Sequence, residues 1–207
     1  MTASHIHFGG GSPNMLTPDE FSTVIARLLQ RFRLTGNVEI SIEIESHTTT
    51  DAFIDSCVEA GVTRFSLGIQ GLSPAVQKAT NRIQPFYTTA RFASRAKDHD
   101  ATDINVNLMY RLPAQTAENF LDTIDKTLTL MPTWIAPFGY AHAPWMKTHM
   151  LLIGDKALPN AESRWKQAKS AESQLTARGY VTVGMDHFAR PDTPLATATA
   201  KTLRRNF

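Results

Sequence analysis

The sequence predicts an α/β fold on a parallel sheet, and three observations carry that prediction. Segments with strand character alternate with segments of helical periodicity along almost the whole chain. The connections between strands hold one or two helices each, as parallel crossovers require. Four successive strands put polar side chains on one face and apolar ones on the other. Strands covered on both faces are usually apolar throughout. The pattern therefore favours a sheet rolled into a barrel with a polar lumen, and all of 1–207 is expected to form one domain.

The elements follow in order. Residues 5–8 are extended and run into Gly9-Gly10-Gly11-Ser12-Pro13. Thr17 caps a helix with Pro18 at its first position. Phe21, Val24, Ile25, Leu28, Leu29 and Phe32 then keep helical spacing, and Gly36-Asn37 is expected to stop the helix. Residues 38–45 read as a strand, 51–60 as a helix closed by Gly61, and 63–69 as a strand. Short helices are expected at 74–79 and 87–97, a strand at 103–110, a helix at 116–130 and a fifth strand at 134–141. An amphipathic helix over 160–178, closed by Gly179, leads to a last short strand at 180–183.

Along these strands His5 and His7 oppose Ile6 and Phe8. Glu39, Ser41, Glu43 and Glu45 oppose Ile40, Ile42 and Ile44. Arg64, Ser66, Gly68 and Gln70 oppose Phe65, Leu67 and Ile69, while Asn105 and Asn107 oppose Val106 and Leu108. A buried polar group without a partner costs roughly 1–3 kcal/mol, and a charge more. Such a face is expected either to be paired internally or to meet a polar ligand.

Composition narrows the class. A net charge of +2 leaves no electrostatic footprint for nucleic acid or an acidic membrane. No apolar run approaches the length of a bilayer span, and the first residues lack the pattern of a signal peptide. The single cysteine, Cys57, excludes an internal disulfide and a self-contained cysteine metal site, and fits a reducing compartment. Three glycines after a strand let a ligand approach the backbone and allow positive φ, but the loop is neither a Walker A sequence nor a dinucleotide fingerprint.

That loop heads an ordered series: Glu-Ile-Ser-Ile-Glu at 39–43, Phe-Ser-Leu-Gly-Ile-Gln at 65–70, Asn-Arg-Ile-Gln at 81–84, Leu-Pro-Ala-Gln-Thr at 112–116, Tyr-Ala-His at 140–142 and Met-Asp-His-Phe-Ala-Arg-Pro at 185–191. The series resembles the oxygen-independent coproporphyrinogen III oxidase (dehydrogenase) family of radical S-adenosylmethionine enzymes in haem biosynthesis. The resemblance implies an incomplete (β/α)6 partial barrel that lacks its first strand. It also implies an oxidoreductase using S-adenosylmethionine and a 4Fe-4S cluster, which converts two propionates of a tetrapyrrole to vinyls through a deoxyadenosyl radical. Implied partners are the tetrapyrrole and an electron donor, with no nucleic acid or membrane, in a cytoplasmic monomer.

The resemblance implies site residues one by one. Gly10, Gly11 and Ser12 match the loop that holds the amino end of S-adenosylmethionine. Glu43 and Arg82 match contacts to its methionyl and sugar portions, Gln70 and Asn107 match ribose contacts, and Ala141 matches a backbone contact to adenine. Arg190, His187 and Lys147 are candidate partners for substrate carboxylates, with His187 equally readable as a hydrogen-bonded structural residue.

The chain departs from the family pattern in four places. The cluster-binding cysteine trio has no counterpart, and Cys57 reads as a buried, apolar helix residue. Asn107 replaces an Asp. Arg111 replaces a Gly, which would cost roughly 1–2 kcal/mol if the turn needs positive φ. The resemblance also implies further C-terminal residues in the family. This chain alone is thus expected to be inactive, with residues 5–8 forming an unpaired sheet edge. Two other readings stand beside this one. One is a non-catalytic binder of a tetrapyrrole or S-adenosylmethionine. The other is a metal-dependent barrel hydrolase using His5 and His7, with His142 and Asp186.

Overall fold

A computed structural model describes residues 2–99 and 103–202. Its strands and helices alternate. Strand β1 (Thr2–Phe8) leads to α1 (Pro18–Arg31) and β2 (Arg33–Ile44), then α2 (Asp51–Glu59) and β3 (Arg64–Gln70). Helices α3 (Pro74–Ala79) and α4 (Phe86–Asp98) precede β4 (Asp103–Tyr110), α5 (Ala117–Leu128) and β5 (Trp134–Gly139). The remainder is α6 (Ala161–Ala177), β6 (Val181–Gly184), β7 (His187–Ala189) and α7 (Pro194–Thr202).

The chain divides into two compact units. One comprises Met1–Gly68 and Pro85–Asn105, the other Ile69–Gln84 and Val106–Phe207. In the first unit β1, β2 and β3 lie side by side and parallel. Helix α1 starts where the cap predicts: Glu20 N–H donates to Thr17 Oγ1, and Thr17 N–H donates to the Glu20 carboxylate at 2.8 Å. Gly36-Asn37 does not stop it. The helix ends at Arg31, and both residues lie inside β2. There the register slips, because Ala3 pairs with Leu34 but His5 pairs with Glu39. A glycine in the extra length of strand suits a bulge. Of the apolar stripe on α1 only Phe21 and Ile25 are buried. Phe21 packs its ring against Phe8 and Phe53. Asp55 takes two hydrogen bonds from Arg95 at 2.6 and 2.7 Å, which holds its carboxyl below the ordinary range.

In the second unit the strand order is β4-β5-β7-β6. Strand β7 was not legible as a separate element. It pairs antiparallel with β5 and with β6, through a hairpin whose central residues Met185 and Asp186 have φ of 47° and 62°. Two positive φ values in a two-residue loop make the tight turn that matches strand twist. Helix α7 is a further element that the sequence pattern does not mark. Helix α6 buries only a narrow stripe, Gln167, Ala171 and Leu175, spaced four apart. Among the described residues no helix is long and apolar enough to cross a membrane.

Candidate cofactor-binding site

The polar face of the first unit divides into two halves. Near the strand starts Arg64 donates to Glu39 at 2.7 Å and stands 3.7 Å from Asp103. These charges satisfy one another, so that half is structural. Near the strand ends Glu43 is exposed and is spent differently. Its Oε2 accepts the Gly10 N–H at 3.3 Å, and its Oε1 lies 3.6 Å from His7 Nε2. The opposite face, with Ile40, Ile42, Ile44, Phe65 and Leu67, is fully buried. On β3 burial alternates with the sequence: Phe65 and Leu67 are buried, and Arg64, Ser66 and Gly68 only partly so.

The glycine loop follows β1 directly. Gly10, Gly11 and Ser12 have φ of 71°, 72° and 53°. A Cβ at Gly10 or Gly11 would meet nothing within 4 Å, so backbone conformation, not crowding, asks for glycine there. Ser12 adopts the left-handed region without being glycine, a strained choice that clusters at functional loops. Gly9 differs from its neighbours. A Cβ there would come within 2.6 Å of His7 Nε2 and 3.1 Å of Glu43 Cδ.

The other four candidates lie in the second unit. Gln70 is the last residue of β3 and has φ of 64°. Arg82 sits in the loop after α3, its N–H donating to Gln77 O at 2.9 Å. The buried Gln77 side chain closes that loop, donating to Gly71 O and Gln84 O and accepting from Gln84 N–H. Gln77 escaped the sequence reading, since an amide facing inward on a six-residue helix leaves no pattern. Asn107 is half-buried on β4, and Ala141 is exposed after β5.

Arg111 has φ of 65°, so the turn after β4 does require the left-handed region. Its N–H donates to Gln167 Oε1 at 2.9 Å, and its guanidinium reaches Pro159 O at 3.4 Å and Tyr140 O at 3.3 Å. The nearly buried Gln167 also donates to Gln115 O, which ties this turn to α6. A cavity of about 590 Å³ beside Arg111, Arg164, Trp165 and Phe188 contains none of the eight candidate residues.

Two of the three residues named for substrate carboxylates are spent locally. Arg190 forms a two-pronged pair with Asp192, and His187 Nδ1 bonds Met185 O at 2.7 Å within its hairpin. The structural reading of His187 is the one observed, with its ring edge-on to Trp134 and Phe138. Lys147 is exposed. The hydrolase set is likewise dispersed into other pairings. His7 Nδ1 bonds Ser41 Oγ at 2.8 Å, His142 Nε2 lies 3.2 Å from Asp155, and Asp186 sits in the hairpin turn. Among the described residues no three His, Cys, Asp or Glu side chains converge on a metal position. Cys57 is fully buried on α2, and burial pushes its thiol up to about 12. It is a core residue, and a single thiol cannot supply the cysteine ligands of a cluster.

Residues 2–127 match the Radical SAM superfamily. The chain belongs to that family. It is 42% identical over 204 residues to the oxygen-independent coproporphyrinogen III oxidase of Bradyrhizobium diazoefficiens, covering 98% of this chain and 45% of the relative. It is 35% identical to the Salmonella typhimurium enzyme of the same name, over 99% of this chain and 45% of the relative. The solved radical SAM coproporphyrinogen III oxidase of Escherichia coli is 33% identical and superposes with a TM-score of 0.92, over 95% of this chain and 45% of its own. The chain thus spans about 45% of the length of these relatives. The mixed α/β, partial radical-SAM barrel expected from the motifs is borne out, as is the resemblance to coproporphyrinogen oxidases. The archaeal Elp3 of Methanocaldococcus infernus, 16% identical with a TM-score of 0.68 over 82% of this chain and 44% of its own, shares the fold alone. The family's cofactors are S-adenosylmethionine and a 4Fe-4S cluster.

Proposed function

We propose that this chain is the S-adenosylmethionine-binding part of an oxygen-independent coproporphyrinogen III oxidase. The observation that carries the reading is 42% identity over 98% of the chain to an enzyme of that name. The intact protein would convert two propionates of coproporphyrinogen III to vinyls, giving protoporphyrinogen IX. It would do so as a cytoplasmic monomer that takes electrons from a separate donor and binds neither nucleic acid nor membrane. Residues 1–207 would act as one partial radical SAM core.

The residues present fit S-adenosylmethionine. Gly10, Gly11 and Ser12 offer backbone to its amino end from a loop already in the left-handed region. Glu43, exposed and held against Gly10, offers a carboxylate to the same cationic group. Arg82 presents a guanidinium fork suited to the methionyl carboxylate. Gln70 and Asn107 take the ribose hydroxyls, and Ala141 takes adenine through its backbone. Asn107 keeps an acceptor for a hydroxyl but not the charge of an Asp. When bound, the cofactor supplies hydrogen abstraction from a propionate side chain; the protein binds, orients and excludes water.

The residues present do not fit the cluster, because Cys57 is a single cysteine and is buried in α2. These 207 residues alone therefore bind the cofactor without turning it over. Calorimetry on this chain should show stoichiometric S-adenosylmethionine binding. Anaerobic reconstitution with iron and sulfide should yield no deoxyadenosine. A chimera with this chain in place of the matching segment of the Bradyrhizobium enzyme should make protoporphyrinogen IX. Absence of S-adenosylmethionine binding, or an inert but folded chimera, would overturn the reading.

A further inference from the structure

His7 is left over when the candidate contacts are assigned, yet its position is specific. It is the Cα partner of Ser41 across the β1–β2 ladder, and Glu43 lies two residues further on the same face of β2. His7 Nδ1 and Ser41 Oγ are 2.8 Å apart, and His7 Nε2 is 3.6 Å from Glu43 Oε1. The other oxygen of Glu43 accepts the Gly10 N–H. The Nε2 edge of the ring stands against Gly9, where a Cβ would come within 2.6 Å of it. A continuous line of polar contacts therefore runs Ser41, His7, Glu43, Gly10, from the buried sheet to the loop.

Proton counting orders this line. Ser41 Oγ has one proton. Donated to His7 Nδ1, it leaves the ring proton on Nε2, aimed at Glu43. Donated instead to Ile6 O at 3.5 Å, it makes Nδ1 the donor, and a bare Nε2 lone pair would face a carboxylate oxygen unless the ring is charged. A proton on Nε2 removes that repulsion and turns an N–H toward the Glu43 carboxylate, 3.6 Å away.

We propose that His7 is a positioning residue: supported by Ser41, it fixes the Glu43 carboxylate against Gly10 and so sets the Gly10–Gly11–Ser12 loop for the amino end of S-adenosylmethionine. This rests on the function proposed above. The imidazole works through its Nε2 proton, not through its bulk.

Two amide substitutions separate those roles. His7→Gln places a donor where Nε2 was, while His7→Asn keeps only the donor near Nδ1 and Ser41. In the ligand-free chain the Gly10 amide resonance should move in His7→Asn and His7→Ala and stay near its native position in His7→Gln. Calorimetry should show S-adenosylmethionine binding weakened about three- to tenfold in His7→Asn and His7→Ala, the worth of one hydrogen bond, and within about twofold of native in His7→Gln. Equal behaviour of His7→Asn and His7→Gln in both measurements would overturn the positioning role. A native chain that binds no S-adenosylmethionine would overturn the functional reading, while the Gly10 resonance would still decide whether His7 sets the loop.

Discussion

Arg111 carries a backbone conformation that its residue type resists, and substitution there has a sign that can be worked out beforehand. An L-residue with a Cβ pays roughly 1–2 kcal/mol in the left-handed region. Arg111→Ala keeps that strain and removes the two guanidinium bonds to Pro159 O and Tyr140 O. Both are long and half-exposed, so their joint loss costs about 1 kcal/mol. Arg111→Gly removes the same bonds but relieves the strain, at a cost of about 0.4–1 kcal/mol of unfolded-chain entropy. The bond from the Arg111 N–H to Gln167 survives in both, since it is backbone. Glycine should therefore match the native chain within about 1 kcal/mol and exceed alanine by roughly 0.5–1 kcal/mol. In urea, with a slope near 2 kcal/mol per molar, the two midpoints would differ by about 0.25–0.5 M. At ordinary positions alanine is the more stable of the pair, so an alanine variant with the higher midpoint would refute the strain argument.

Gly9→Ala should fold, because the atom it overlaps is a movable ring edge, with a stability loss under about 1 kcal/mol; it should weaken S-adenosylmethionine binding by pushing His7 off Glu43, and native-like binding in calorimetry would contradict this. Gln77→Ala strips partners from Gly71 O, Gln84 O and Gln84 N–H in a buried loop and should cost about 2–4 kcal/mol in urea unfolding. Cys57 and Tyr180 are both pushed up to about 12 by burial, from ordinary values of 9.0 and 10.0. A raised folded value adds stability that is whole below the unfolded value and is lost as pH climbs through the folded one. Unfolding free energy should thus fall between pH 9 and 12, and Cys57→Ala should flatten the first part of that slope.

The alternation of strand and helix was legible because each of the first four strands carried a two-residue period in its sequence. On β3 the alternation in the sequence is the alternation in burial, residue for residue. Both caps with a returning side chain, at Thr17 and Thr116, closed locally and needed no tertiary help. The misreadings share a cause. Gly36-Asn37 looks like a helix stop, but the helix ends at Arg31 with Phe32 as its cap, and the two residues fill a bulge set by pairing with β1. Strand β7 is three residues long, and only its partners β5 and β6 define it. Local chemistry cannot announce an element whose hydrogen bonds are all distant.

The same division runs through the candidate site, and it decides which polar residues deserve a role. On a face of alternating polar side chains the sequence treats Glu39 and Glu43 alike. Pairing with β3 separates them: Arg64 sits within reach of Glu39, at 2.7 Å, whereas the β3 residue opposite Glu43 is Ser66, which carries no charge. A carboxylate already neutralised by a guanidinium has little left for a ligand, and one beside an imidazole and a backbone N–H keeps its charge available. Some of the positive-φ residues follow strands directly within their own units. Ser12 follows β1, Gln70 ends β3 and Arg111 follows β4, each with positive φ and none a glycine. Strain of that kind persists only where surrounding contacts hold it. Ligand sites of α/β sheets lie beyond the carboxyl ends of the strands, and in the first unit that is where Glu43 accepts the Gly10 N–H beside the left-handed Ser12.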